Sequence, residues 1–581
     1  MKKTGLFLTI VAAAGLVGAG WLVLQYWDFA PAGTPKTPVN GGGIVSTYRS
    51  EPSTFNRLVK SGSPESLMTR LVHDTLLRMD RKTGQLEPRL ATIWTPSPDG
   101  LTWTLALRQG VLFSDGQPFT SADVMFSVRA VYDPAVASPI ASSLRVGGKP
   151  IAVRAMDAHT ITVQFPSAYA PGISLLEALP IMPAHKLGAA LDAGKFREAW
   201  SVTTPPADIV GLGPFVIDSY KAGERLVFKR NPHFWKRDAD GRAMPYLDRI
   251  ELQITPSQDT EVLRLQAGAA DLTTDRVRVE DLASLQSLSS GGKIALHSAG
   301  VSVSPDMFIF NLDPASTSAR ERPWLQREEF RHAISKAVDR VGIVNTVFLG
   351  EGLPIAGPIT PGHGEWYAAD LVRFEYDVNA ANKALDAMGL VDKTGDGLRD
   401  DPSGRTVSFS VLTLKGHSVR ERTVVMIQEH LRRVGIKVNV VAMEKDPMLD
   451  LFGNGNYDVM YFSTEFDSFD PGRNLDFWLS SGSFHVWRLG LTSPGTPWEQ
   501  EIDSLMTRQV ATFNMDERRK LFADAQRVLA AHAPVLYFAA PNVVVATSAR
   551  LGGVTASVLA PNVLWNPEAL FIKSSTTGAQ R

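Results

Sequence analysis

The stretch VLFSDGQPFTSADVMFS, Val111 to Ser127, carries two acids, Asp115 and Asp123, in a short polar segment between apolar runs. Two carboxylates so placed could share general acid–base work. Local chemistry accounts for both otherwise. Ser114-Asp115-Gly116 supplies turn residues, with Gly116 free to take a positive φ, and Pro118 ends strand pairing because it has no N–H to give. Thr120, followed three residues later by Asp123, predicts a helix N-cap with an acid at the positive helix end. Turn and cap absorb the pair, so this segment predicts structure and no reaction.

Other residues with chemical potential are few. The chain holds no G-x-S-x-G elbow, no phosphate-cradling G-x-x-x-x-G-K-[ST] and no H-E-x-x-H helix. Its 11 histidines are scattered, and His417 and His430 have no metal-ligand spacing. In DKTGDGLRDD, Asp392 to Asp401, the residues Asp392, Thr394, Asp396 and Gly397 mimic the first half of a calcium loop, but Ser403 stands where a bidentate glutamate belongs. That loop is a polar turn or a partial calcium site. In YFSTEFDSFDPGRNLDFW, Tyr461 to Trp478, aromatic residues alternate with Glu465, Asp467, Asp470 and Arg473. Aromatic walls bearing a few charges suit a ligand site; a core strand running into a loop would read the same.

The elements that must position these residues alternate in type. LTWTLAL (from Leu101), TITVQF (Thr160 to Phe165) and RIELQI (Arg249 to Ile254) alternate as strands. Helical spacing marks Glu261 to Leu272, where the helix stops at a Gly-containing turn, Glu328 to Gly350 and Asp516 to His532. Val407 to Leu414, Arg420 to Gly435 and Ile436 to Met443 form a strand–helix–strand unit, which predicts a parallel pair with a right-handed crossover. The fold class is α/β, with 581 residues sufficient for two or three lobes.

Composition narrows the function. A net charge of −1 argues against nucleic acid as partner. The absence of cysteine excludes disulfides, thiol catalysis and thiolate metal sites. Lys2 and Lys3 precede an uncharged run, Thr4 to Trp27, long enough for a membrane anchor and also compatible with a cleaved signal peptide. Either sends the body outward, since positive charge stays inside. APAGTPKTPVNGGG, Ala30 to Gly43, reads as a tether.

Four ordered blocks resemble one family. SPDGLTWTLALRQGVLFSDGQPFTSADVMFS (Ser97 to Ser127) resembles the signature region of the family 5 extracellular solute-binding proteins, with Leu105 for Phe and Ser121 for Ala. GLGPFVIDSYKAGERLVFKRNPHFW (Gly211 to Trp235), MFIFNLDPAS with FRHAISKAVDR, and DERRKLFADAQRVLAAHAPVLYF resemble its later blocks, with Leu212 for Thr in the first. The resemblance implies a three-lobed, periplasmic-binding-protein-like fold of type II with an extra inserted lobe. Lobe I would hold about 44–66, 205–305 and 535–575, lobe II about 67–204, and lobe III about 306–534. It further implies a periplasmic, non-enzymatic receptor, expected as a monomer without cofactor or metal and tethered if the N-terminal segment stays uncleaved. Such a receptor captures a peptide-like solute by hinged closure and delivers it to an inner-membrane ABC permease with cytoplasmic ATPases. An oligosaccharide, opine or metal complex is the alternative cargo on the same fold. A hydrolase would need a nucleophile and base within reach, which no motif suggests.

The resemblance also nominates site residues. Asp467, in Asp467-Ser468-Phe469-Asp470-Pro471, matches the acid that anchors a peptide's α-amino group in peptide-binding members. Thr464 departs from the tryptophan that many of them carry, and Phe462 and Phe466 are candidates for the missing wall. Lys415, His417 and Arg420 are candidates for a peptide carboxylate, or are solvated loop charges. His485 and Trp487, in SGSFHVW, are further loop candidates.

Overall fold

The computed structural model describes residues 38–60, 62–463 and 468–573. The apolar run Thr4 to Trp27 lies outside them, with most of the tether, and so do Thr464, Phe466 and Asp467. Among the described residues, no helix is long and apolar enough to cross a membrane.

Three sheets carry the architecture. The first has eight strands in the order Phe215–Lys221, Arg225–Arg230, Arg249–Ile254, Gly43–Tyr48, Leu272–Thr273, Ala539–Ser548 and Ile294–Val301, with Gly352–Pro354 joined to the long strand Ala539–Ser548. RIELQI is its third strand, parallel to Gly43–Tyr48 in a register running from Gly43 opposite Arg249 to Tyr48 opposite Ile254. The second sheet is antiparallel, in the order Ala91–Pro96, Thr102–Leu107, Thr160–Gln164 and Ala152–Asp157. The third has five strands, Lys437–Met443, Ser408–Leu414, Val459–Ser463, Asp306–Phe310 and Val535–Tyr537.

The acids of the opening stretch do what local chemistry asks. Thr120 and Asp123 close a capping box at the start of the helix Ser121–Tyr132. Gly116 takes φ +85°. Asp115 accepts from the Gln117 N–H at 3.3 Å and pairs with His185 at 2.9 Å.

The strand–helix–strand unit forms as predicted. Ser408–Leu414 and Lys437–Met443 pair in parallel on either side of the helix Ser418–Arg432. Both faces of the third sheet are covered, because successive side chains of a strand point opposite ways. Phe308 and Phe310 face one apolar cluster with Phe330, Ile334 and Ile427. Met307 and Ile309 face another with Phe522, Trp478 and Trp487.

One predicted helix is corrected. Glu328 to Gly350 is not one helix but two, Glu328–Ala337 and Arg340–Val347. Val338 is extended (φ −100°, ψ 119°), and the Asp339 carboxylate accepts from the Gly342 N–H at 2.9 Å. A short acid that can cap competes with helix continuation, which apolar spacing alone does not register. The helix predicted in Glu261 to Leu272, stopping at a Gly-containing turn, forms as Gln258–Gln266, capped by Ser257. After the Gly268 turn (φ +71°), Leu272 joins the first sheet. In the calcium-like loop, the Asp392 carboxylate accepts from the N–H groups of Gly395 (2.7 Å) and Gly397 (2.9 Å), the work of a polar turn. No group of His, Cys, Asp and Glu among the described residues could hold a metal ion.

Candidate functional site

A cavity of about 290 Å³ opens where the bodies around the three sheets meet. Residues 57–89 supply most of its wall, with Ser143 and Glu177 from the second body, Ala560 and Pro561 from the returning C-terminal segment, and Arg473 from the third body. Six arginines line it, Arg57, Arg70, Arg78, Arg81, Arg89 and Arg473, and two carboxylates, Asp74 and Glu177. Arg70 stands in the last turn of the helix Ser63–Leu71. Arg78 lies on the short strand Leu77–Met79; Arg81 follows in the hairpin it begins, and Arg89 comes directly after that hairpin.

Part of this charge is structural. Arg89 holds Asp74 through two nitrogens (2.9 and 3.0 Å) and reaches Glu568 at 2.9 Å. Arg78 bonds Glu568 at 2.8 Å and Glu87 at 2.6 Å, and Lys236 adds a third cation to Glu568 at 3.1 Å. Burial works against the Glu568 carboxylate, yet Arg78, Arg89 and Lys236 hold it well below the usual range. A buried carboxylate among paired guanidinium groups is stable only while all partners remain. Arg81 clamps the C-terminal loop by donating to the carbonyls of Leu559, Ala560 and Pro561 at 2.7 to 2.9 Å.

The rest of the wall is less committed. Arg57 donates to Thr69 Oγ1 (3.0 Å) and the Lys60 carbonyl (2.9 Å), and burial pulls its guanidinium down to about 10. Arg70 reaches Glu177 at 3.4 Å, and burial lowers it too. His73 is 1% exposed and stacks on Trp200, with ring centroids 6.0 Å apart. Neither of its ring nitrogens has a hydrogen-bond partner among the described residues. Burial, then the charge of Arg57, lowers the ring to about 3, so it is neutral at physiological pH. Two glycines fix the backbone there: a Cβ on Gly211 would sit 1.9 Å from the Val72 carbonyl oxygen, and one on Gly213 would meet Leu71 O at 2.6 Å.

A second patch gathers at the end of the strand Val459–Ser463. Arg420 Nε meets Asp306 at 2.7 Å, its Nη2 donates to Ser463 Oγ at 2.6 Å, and its guanidinium lies 4.5 Å from the Phe462 ring centroid. Asp306 and Ser463 are register partners on adjacent strands, which is why one arginine reaches both. His417 caps the helix Ser418–Arg432, its Nδ1 accepting from the Arg420 N–H at 3.4 Å; burial, then Arg420, lowers its ring. Across from this helix start, Glu280 of the first body accepts from Ser418 Oγ at 2.9 Å and faces Arg422 at 3.6 Å.

The chain leaves Ser463 through Thr464, Phe466 and Asp467 and is described again from Ser468. The second acid of the D-x-x-D-P motif is structural. Asp470 takes two bonds from Arg518 (2.7 and 2.9 Å) and caps Gly472 at 2.9 Å. Beyond it the segment is fastened to the second body: Tyr169 Oη donates to the Gly472 carbonyl at 2.6 Å, and Arg473 to that of Ser174 at 2.8 Å. This fastening is what delivers Arg473 to the cavity.

Of the residues named from sequence, the structure brings together Phe462, Arg420 and His417. Lys415 stands apart on the surface, 65% exposed beside Glu444. His485 and Trp487 need correction. Both are fully buried, and both meet Glu499 Oε1, Trp487 Nε1 at 3.2 Å and His485 Nε2 at 3.4 Å. They are core anchors, because SGSFHVW folds inward against the helix Pro497–Ala511. The cavity arginines went unnoticed because residues 57 to 89 hold them at irregular spacings that no motif describes. The excess of arginine in that one short region was the available signal.

Comparisons with known proteins agree with this architecture. Residues 85–485 match the family described as bacterial extracellular solute-binding proteins, family 5 Middle. A probable ABC transporter-binding protein of Deinococcus radiodurans is 27% identical over 583 residues, 95% of each chain. Among solved structures, the oligopeptide-binding protein AppA from Bacillus subtilis, in complex with a nonapeptide, superposes with a TM-score of 0.70 at 22% identity, covering 93% of this chain and all of that one. NikA from Brucella suis, in complex with Fe(III)-EDTA, gives 0.75 at 19% identity, covering 92% and 100%. The chain belongs to the family 5 bacterial extracellular solute-binding proteins.

Proposed function

We propose that this chain is the periplasmic receptor of an ABC importer, capturing a peptide-like solute where the three bodies meet and handing it to an inner-membrane permease driven by cytoplasmic ATPases. It acts as a non-enzymatic monomer, and an uncleaved N-terminal run would tether it to the inner membrane. The observation that carries this reading is the charged cavity walled by residues 57–89, by Ser143 and Glu177, by Ala560 and Pro561, and by Arg473. A site walled by separate bodies is one that relative motion can open and shut, and a ligand that touches all of them shifts the balance toward the shut state. The contact of Glu280 with Ser418 and Arg422 is a point where such closure would be felt.

Asp467 is the proposed anchor for the solute's ammonium group, with Phe462 and Phe466 as apolar wall and Arg420 as the cation that orients the patch. A charge-assisted bond to a carboxylate is worth about 1.5–3 kcal/mol, or roughly ten- to a hundredfold in affinity. The test is native mass spectrometry of protein purified without denaturant from cells that export it, beside the Asp467→Asn variant. A ladder of co-purifying peptide masses, lost in the variant, is the expected result. One discrete mass held equally by both proteins would replace the peptide with an oligosaccharide, opine or metal complex.

A further inference from the structure

The geometry points to a solute that bears an anionic group: Arg57 and Arg70, with His73 on the same wall, receive a carboxylate or phosphate group in the arginine-lined cavity. This rests on the cavity being the solute site and names the chemistry that it selects. Six guanidinium groups share the lining with two carboxylates. Of the described acids behind the wall, Glu87 and Glu568 are taken by Arg78, Arg89 and Lys236, and Glu65, whose charge supports Arg57, accepts from Ser53.

Arg57 is the sharper case. Its hydrogen bonds go to one hydroxyl and one backbone carbonyl, and among the described residues no carboxylate accepts from it. A guanidinium carries five N–H donors in a planar fork that matches two oxygens of one anion. Among the described residues Arg70 has one long contact, to Glu177, and the rest of its fork to give. Both have lost hydration, which is why burial lowers them. A solute without an anionic group would leave that cost unanswered; a carboxylate or phosphate group offsets it.

His73 is the independent observation. It is buried to 1% exposure, lines the cavity, and leaves both ring nitrogens unpartnered among the described residues. A buried polar group without a partner is uncommon and calls for an explanation. Its ring is neutral, so one nitrogen carries a hydrogen that an anion's oxygen can accept with no proton uptake. Trp200 stacks on the ring and holds its plane.

The experiment is calorimetric titration of the exported protein, in the form the cell leaves it, with glutarate and with inorganic phosphate at constant ionic strength set by NaCl. Solute released from the same preparation by heat is identified by mass and charge. At least one probe should bind and raise the unfolding temperature, glutarate preferred for a carboxylate solute and phosphate for a phosphorylated one. Arg57→Met and Arg70→Met should each weaken binding by about tenfold or more. Ser66→Phe, which keeps every arginine but fills the cavity, should weaken it as much, and so covers an arginine variant that fails to fold. Probes that bind no better than chloride, or that bind all three variants equally, overturn the inference. Heat release of a solute that carries no carboxylate or phosphate group overturns it while leaving the receptor reading intact. A folded protein that releases no solute and binds neither probe nor any peptide overturns both.

Discussion

Glu499→Gln separates the core from the solute site. Glu499 is 1% exposed, and all its contacts are donors. Oε1 meets Trp487 Nε1 and His485 Nε2, while Oε2 accepts from the Gly495 N–H at 2.9 Å and from Thr496 Oγ1 at 3.0 Å. Burial alone would raise this carboxyl, but hydrogen bonds from His485, Thr496 and Trp487 outweigh it and hold the group at about 2, against 4.5 in an unfolded chain. At about 1.4 kcal/mol per tenfold change in proton affinity, that difference stabilises the fold by about 3 kcal/mol at neutral pH. A depressed carboxyl contributes fully above pH 4.5 and loses its contribution as pH falls toward 2. About 2 kcal/mol of it is gone by pH 3. Glutamine keeps one acceptor and turns an NH₂ group toward two donors, so the variant should lose about 3 kcal/mol at pH 7. It should also lose the acid-dependent drop that this carboxyl gives the wild type. Urea unfolding followed by tryptophan fluorescence at pH 7 and pH 3 measures both, and solute affinity should be unchanged. A loss below 1 kcal/mol with parallel pH profiles would refute the assignment. A fall in solute affinity with stability intact would return His485 and Trp487 to the cleft.

Other perturbations test the remaining parts. Arg420→Met leaves Asp306, 15% exposed, without its cation; stability should fall by about 2 kcal/mol. Solute affinity should fall about tenfold, and unchanged affinity in calorimetry would make Arg420 purely structural. Glu280→Gln weakens a half-exposed contact between bodies worth about 0.5–1 kcal/mol, so solute release in stopped flow should quicken two- to fivefold or so; an unchanged rate would remove this contact from closure. Thr120→Ala breaks the capping box and should cost about 1 kcal/mol of stability with no change in solute affinity.

Local features were legible in the sequence because their causes are local. The Thr120–Asp123 cap, the Gly116 turn, and the alternation of RIELQI and TITVQF each depend on residues within a few positions. The break at Asp339 was missed since a capping side chain can override apolar spacing over a single turn. His485 and Trp487 looked like loop residues for a different reason: what buries them is Glu499, whose approach depends on how the following helix packs. Among the cleft candidates, Phe462 was named beside the Asp467–Pro471 motif and Arg420 for its place where the resemblance puts ligand contacts; their mutual contact follows from the pairing of Asp306 with Ser463.

By itself, then, the sequence determined the α/β class, the parallel unit around Ser418–Arg432 and the family, since periodicity, caps and ordered motifs are written residue by residue. Only the tertiary structure decided which charges share a space. No motif joins Arg57, Arg70 and Arg89 along the chain; they become one wall where Gly211 and Gly213 let backbone pass against Val72, and where Asp74 and Glu568 hold Arg89. Arg473 joins them from nearly four hundred residues away through the hold of Tyr169 and Ser174 on its segment. Electrostatic sites of this kind depend on distance in space, which falls off independently of distance along the chain.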